Sequence, residues 1–153
     1  MPNTYSQIYI QIVFAVEDRQ NLIAPLNREE LDRYITGIVT NRGQKLLAIF
    51  VMPDHAHILI GMKPSICLSD LVRDVKAGSS NFINEKRWVK GRFNCQEGYG
   101  AFSYSRSRVD SVGRYILDQE ERHRNRTFKN EYVSLLKKFE VEFDDEYLFD
   151  FVD

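Results

Sequence analysis

Apolar residues alternate near the start of the chain. Ile8, Ile10, Ile12, Phe14 and Val16 fall on one face of an extended segment, with Tyr9, Gln11 and Val13 on the other. A period of two among β-branched residues predicts a strand over residues 6–16. Polar residues 17–25 follow as a loop. The period then lengthens, and Leu31, Tyr34, Ile35, Ile38 and Val39 predict a helix that stops at Gly43. Lys45–Met52 reads as a second strand, Pro53-Asp54 as a turn, and His55–Met62 as a third strand with Ala56, Ile58 and Ile60 on one face. So short a turn between two such runs implies an antiparallel hairpin.

Leu68, Leu71, Val72, Val75, Phe82 and Ile83 mark a second helix, with Ser69 as its expected N-cap. Trp88–Gly100 is basic, aromatic and glycine-bearing, and predicts an exposed loop. Ala101–Ser105 makes a short fourth strand. A third helix is expected from Val109 to Arg122, and a fourth from Phe128 to Phe139 with Tyr132, Leu135 and Leu136 on its apolar side.

The order β-α-β-β-α-β, followed by two helices, predicts an α+β fold. Its core is a ferredoxin-like antiparallel sheet with helices on one face. A chain of 153 residues with 43% apolar content suits one compact domain, taken as residues 1–140, and an acidic tail, 141–153. Tyr147, Leu148, Phe149 and Phe151 lie among the tail's acids. They can dock as an apolar strip or stay free.

No apolar run approaches the roughly 20 residues of a membrane span, so no membrane association is expected. Residues 1–11 do not read as a signal peptide, and the expected compartment is the cytoplasm. Cys67 and Cys95 form no ligand-spaced pair and read as ordinary thiols. The net charge of −1 hides an asymmetry. Phe139–Asp153 holds seven acids and no Lys or Arg, so the first 138 residues set 21 bases against 15 acids, a net +6. A basic body is compatible with a phosphate-binding surface.

Two of the three histidines form His55-Ala56-His57 on the third strand. Residues two apart on a strand share a face. Because Ala56, Ile58 and Ile60 turn toward the helices, both imidazoles are expected on the helix-free side of the sheet. Such a pair can hold a divalent transition metal or be two surface histidines. Tyr115 and Gln119, four apart, share one face of the third helix. The phenol can act as nucleophile and the amide oxygen as metal ligand, or they can be a core-boundary tyrosine and a solvated glutamine.

Lys86, Arg87, Lys90 and Arg92 surround Trp88 and Phe93. Arg106 and Arg108 precede the third helix, and Arg122, Arg124, Arg126 and Lys129 follow it. Cations of this kind contact phosphates, and aromatic rings stack on unpaired bases. There is no P-loop, GxSxG elbow or HExxH helix. His123 has no evident Ser or Cys partner, and Asp54 reads as a turn residue.

Together these segments resemble a known family. Met52-Pro53-Asp54-His55-Ala56-His57-Ile58-Leu59-Ile60 is similar to the central motif of the HUH-type single-tyrosine transposases of the smallest bacterial insertion sequences. Gly98-Tyr99-Gly100-Ala101-Phe102-Ser103 and Tyr115-Ile116-Leu117-Asp118-Gln119 match its next two landmarks at matching spacing. The resemblance implies metal ligation by His55, His57 and Gln119 with Mg²⁺ or Mn²⁺, and Tyr115 as nucleophile. It also implies a single-stranded DNA substrate with a hairpin near each element end, and a homodimer in which a tyrosine helix can complete the other subunit's site. The acidic tail has no counterpart in it. Three other activities use overlapping features: a non-cleaving nucleic-acid regulator, a metal nuclease using water, and a repeat-associated relative acting on dispersed palindromes.

Overall fold

The computed structural model describes residues 3–15, 23–124, 126–149 and 151. Val16 and residues 17–22 of the expected strand end and loop lie outside the described residues. Four strands, β1 (Tyr9–Ala15), β2 (Lys45–Val51), β3 (His55–Gly61) and β4 (Gly100–Tyr104), form one sheet in the order β2-β3-β1-β4. Every pairing is antiparallel. The β2–β3 hairpin has the expected short turn. A register shift in β2 between Leu46 and Ala48 puts Leu46 and Ile49 on one face, and Ala48 and Phe50 on the other.

Two helices, α1 (Arg28–Asn41) and α2 (Leu68–Lys86), cover one face of the sheet. Leu31, Ile35 and Val39 of α1 and Leu71, Val72, Val75 and Ile83 of α2 pack there on Ile12, Phe14, Ala56, Ile58 and Ile60. This is the ferredoxin-like core that the hydrophobic pattern implies.

The opposite face is not bare. Helix α3 (Val109–Leu117) packs Val109, Val112 and Ile116 on Ala48, Phe50 and Leu59. Helix α5 (Phe128–Lys138) packs Phe128, Tyr132, Leu135 and Leu136 on Val13, Ala15 and Phe102. The expectation of a helix-free side for the histidines is therefore overturned, because both C-terminal helices carry apolar stripes that need a sheet face to bury.

Three local expectations also shift. The third helix loosens at Asp118 (φ −93°, ψ 15°) and resumes as the short α4 (Gln119–Arg122). The N-cap of α2 is Cys67, and Ser69 lies in the first turn with its hydroxyl 3.1 Å from Cys67 Sγ. The 88–99 segment is only partly exposed. Phe93 is 1% exposed and sits in the core, where the Asn84 side chain clamps its backbone N–H and C=O at 2.7 and 3.0 Å.

The C-terminal tail docks. Glu140 takes a left-handed conformation (φ 55°), and the Val141 N–H bonds to the Leu136 carbonyl at 2.9 Å, which closes α5 and reverses the chain. Phe149 then reaches Phe128 and Tyr132, while residues 141–147 stay exposed.

Candidate active site

The buried polar cluster forms where four elements meet on the α3/α5 face of the sheet. β3 supplies His55 and His57, 2% and 0% exposed. α3 supplies Tyr115, α4 supplies Gln119 with His123 just beyond it, and α5 supplies Glu131, 2% exposed. Thr127 caps α5 by accepting the Asn130 N–H at 3.1 Å, which sets where the helix begins and so where Glu131 points.

Each strand histidine is oriented by a partner on Nδ1. His55 Nδ1 lies 2.6 Å from Asp54 Oδ1. His57 Nδ1 lies 2.7 Å from Gln11 Oε1, and Gln11 Nε2 in turn donates to the Tyr104 hydroxyl at 2.7 Å. With oxygen acceptors on Nδ1, each ring carries its proton there and turns an Nε2 lone pair inward. Facing those lone pairs are more acceptors. His57 Nε2 is 3.1 Å from Glu131 Oε1, and His55 Nε2 is 3.3 Å from Gln119 Oε1 and 3.7 Å from Glu131 Oε1. Gln119 Nε2 donates to Glu131 Oε2 at 2.9 Å, which aims its oxygen at the imidazoles.

Acceptor atoms this close are tolerated only with a cation or a shared proton between them. The ligand atoms of His55, His57 and Glu131 all lie within 4.8 Å of one another. Two imidazoles, a carboxylate and an amide oxygen make a mixed nitrogen and oxygen donor set that suits a divalent ion, and this cluster could hold one.

His123 adds a ring donor to the cluster. Its Nε2 is 3.0 Å from both Gln119 Oε1 and Glu131 Oε1. Burial opposes its charge, but the Glu131 hydrogen bond and carboxylate outweigh this and raise its pKa. For His57 burial prevails and the pKa falls, so that ring is neutral. Burial likewise disfavours a charged Glu131, yet the hydrogen bond from His123, and then that from the Tyr115 hydroxyl, hold its carboxyl far below the usual range. Glu131 is thus an ionised carboxylate in the core.

Tyr115 joins this cluster from the same chain. Its hydroxyl donates a short hydrogen bond to Glu131 Oε2, and its ring meets His57 edge-on with centroids 6.1 Å apart. The Arg122 guanidinium lies over the phenol ring, 4.5 Å from its centroid. Burial, and then the charge of Glu131, push the Tyr115 pKa well above the ordinary phenol value.

The sequence-predicted residues His55, His57, Tyr115 and Gln119 come together here. The six predicted cations do not form one patch. Lys86, Arg87, Lys90 and Arg92 are exposed near the α2 C-terminus, on the α1/α2 side of the sheet. Arg106 and Arg108 are exposed after Tyr104, at the end of β4 that pairs with Tyr9. Phe93, buried in the core, is not free to stack on a base.

Sequence reasoning missed Glu131 and His123. Glu131 stands within the apolar stripe Phe128, Tyr132, Leu135 and Leu136, and a lone charge at a stripe position is the signal. His123 continues the four-residue spacing of Tyr115 and Gln119.

Paired imidazoles, a buried carboxylate and a tyrosine hydroxyl on a ferredoxin-like sheet define a site of the HUH type, with the tyrosine as its one phenol. Comparison with known proteins agrees. The family model for IS200-like transposases matches residues 4–119, and the chain belongs to that family of single-tyrosine transposases acting on single-stranded DNA. The ISDra2 transposase TnpA of Deinococcus radiodurans is 22% identical over 123 residues, covering 76% of this chain and 86% of its own. Among solved structures, a transposase from Deinococcus radiodurans R1 aligns with TM-score 0.59 at 22% identity, covering 76% of this chain and 94% of its own. A REP-associated tyrosine transposase bound to a REP hairpin aligns with TM-score 0.57 at 15% identity, covering 79% of this chain and 72% of its own. At these identities the two structures bear on the fold. No helix among the described residues is long and apolar enough to cross a membrane.

Proposed function

We propose that Tyr115 attacks the scissile phosphate of single-stranded DNA at an insertion-sequence end. The phenol oxygen gives its proton to Glu131 Oε2 and forms a bond to phosphorus as the phosphorus–O3′ bond breaks, and the departing O3′ takes up a proton, leaving a 5′-phosphotyrosine and a free 3′-OH. A 3′-OH then attacks the ester and releases Tyr115. The phosphodiester energy is kept in the ester, so rejoining needs no ATP. The observation that carries this reading is the Tyr115 hydroxyl held on Glu131 Oε2, while Glu131 Oε1 faces the imidazoles.

In this reading His55, His57 and Glu131 hold Mg²⁺ or Mn²⁺, with the Gln119 oxygen completing the protein ligation. A bound divalent cation supplies polarisation of the scissile phosphate and stabilisation of the departing 3′-oxygen. Asp54 and Gln11 keep the Nε2 lone pairs inward. His123 keeps Gln119 and Glu131 aligned by donating to both. Arg122, stacked over the phenol, orients the ring and brings positive charge next to the attacking oxygen's ring.

The exposed cations Lys86, Arg87, Lys90, Arg92, Arg106 and Arg108 are read as phosphate contacts for the strand and for a hairpin near the element end. Tyr115 reaches the cluster within one chain, which supports attack in cis. A homodimer would then serve to hold two DNA ends together, not to complete either site. Residues 1–140 are taken as the catalytic domain, and the compartment as the cytoplasm, where a transposase meets its DNA.

Covalent capture tests this. End-labelled single strands from the DNA flanking the gene, incubated with protein and Mn²⁺, should yield a slow, protease-sensitive band on a denaturing gel. Tyr115→Phe should lose that band while remaining folded by circular dichroism. Strand transfer retained by Tyr115→Phe would refute the tyrosine mechanism, and cleavage without an adduct would assign the attack to water.

A further inference from the structure

We infer that the C-terminal tail is a positioning element for the metal site, acting through Phe128 on the ring of His55. The inference rests on the reading of His55, His57 and Glu131 as metal ligands. Phe128, the first residue of α5, stacks on the His55 imidazole with centroids 3.9 Å apart and planes 5° apart. The Asp54 hydrogen bond fixes the direction of His55 within its ring plane. A flat stack resists the other motion, rotation of the ring about the bond that attaches it. The two contacts together define where Nε2 points.

Phe128 is held in turn by the tail. Phe149 packs on it with centroids 5.9 Å apart and planes 20° apart, and on Tyr132 at 4.9 Å. Phe151 meets the Phe128 ring edge-on at 5.4 Å, under the Lys129 ammonium. Phe149 is buried although the seven residues 141–147 are exposed. The left-handed turn at Glu140 sends the tail back along α5 to deliver this ring to the helix start. The acids at 142 and 144–146 keep the connecting stretch in water, and Phe149 and Phe151 turn inward onto Phe128. Residues 128–151 lie beyond the segment matched by the family model, so this buttress belongs to the part of the chain that the family model does not describe.

The test measures Mn²⁺ affinity of the full-length chain, by calorimetry and by the free-Mn²⁺ paramagnetic resonance signal. Phe149→Ala should weaken Mn²⁺ binding about tenfold, the lower end of the loss seen when an orienting partner of a metal ligand is removed. Phe149→Leu, which refills most of the volume, should recover most of it. Phe151→Ala, which removes the half-buried ring, should produce a smaller loss in the same direction and serves if Phe149→Ala does not fold. Ile35→Val, on the far face of the sheet, controls for stability alone and should leave Mn²⁺ affinity unchanged. His57→Ala should abolish binding. If Phe149→Ala and Phe151→Ala bind Mn²⁺ within twofold of wild type while His57→Ala does not bind, the buttress is refuted and the metal site stands. Equal loss in Ile35→Val also refutes it. If wild type binds no Mn²⁺, both the metal reading and the buttress fall.

Discussion

Replacing Glu131 by Gln keeps the size and shape of the side chain and removes its charge. In the wild type one carboxylate oxygen faces His57 and His123, and the other takes hydrogen bonds from Tyr115 and Gln119. Glutamine still offers one acceptor oxygen, so the fold should survive, but the one carboxylate of the proposed metal site among the described residues is gone. Loss of an orienting partner alone weakens metal sites about 10–100-fold. Loss of the anionic ligand itself should reach at least the upper figure, or about 2.7 kcal/mol. This translates into melting temperature. Mn²⁺ at about 100 times its Kd should stabilise the wild type by about 2.7 kcal/mol, against about 0.4 kcal/mol for a variant binding 100-fold more weakly. For a chain of this size the shifts are about 5–11 °C and about 1 °C, respectively. The assay is a thermal melt with and without Mn²⁺ for both proteins, with calorimetry for Kd. A Glu131→Gln protein whose Mn²⁺-induced shift matches wild type would refute Glu131 as a ligand.

Three further outcomes are expected. Gly100→Ala places a Cβ 2.8 Å from the Tyr132 ring carbon and hydroxyl, so it should cost about 1–3 kcal/mol and lower adduct yield by displacing α5, as read by melts and covalent capture. Asp32 in α1 is pushed up to about 6, chiefly by burial, and one of its oxygens has no hydrogen-bond partner. The folded state therefore binds the proton more tightly than the unfolded chain, whose value is 3.8. Stability from this group falls as pH rises through that window and stays low above it, and after discounting for partial exposure the effect is about 1 kcal/mol. Asp32→Asn should accordingly raise the melting temperature at pH 8 and leave it nearly unchanged at pH 3.5. Replacing Arg87 and Arg92 together by Ala should flatten the dependence of log affinity on log salt by about 0.7 for each phosphate that is no longer neutralised, measured by anisotropy on a single strand. An unchanged slope would remove that surface from the DNA path.

The strands, the first two helices and the shared face of His55 and His57 were legible in the sequence, because each follows from a period counted along a few consecutive residues. Tyr115 and Gln119 were legible as a pair for the same reason, one helical turn being a local quantity. The partners of these residues were not. Gln11 orients His57 across the β1–β3 pairing, and Glu131 enters from a helix 74 residues away from it in the chain. His123 has no chemistry to announce until α4 turns it toward the Glu131 carboxylate. Whether the tail floated or docked depended on the direction in which the chain leaves α5, which one left-handed residue decides. Periodicity says which side of an element is apolar. Which surface that side finds, and which buried charge it encloses there, is decided only when α3 and α5 close over the sheet and exclude water from the site.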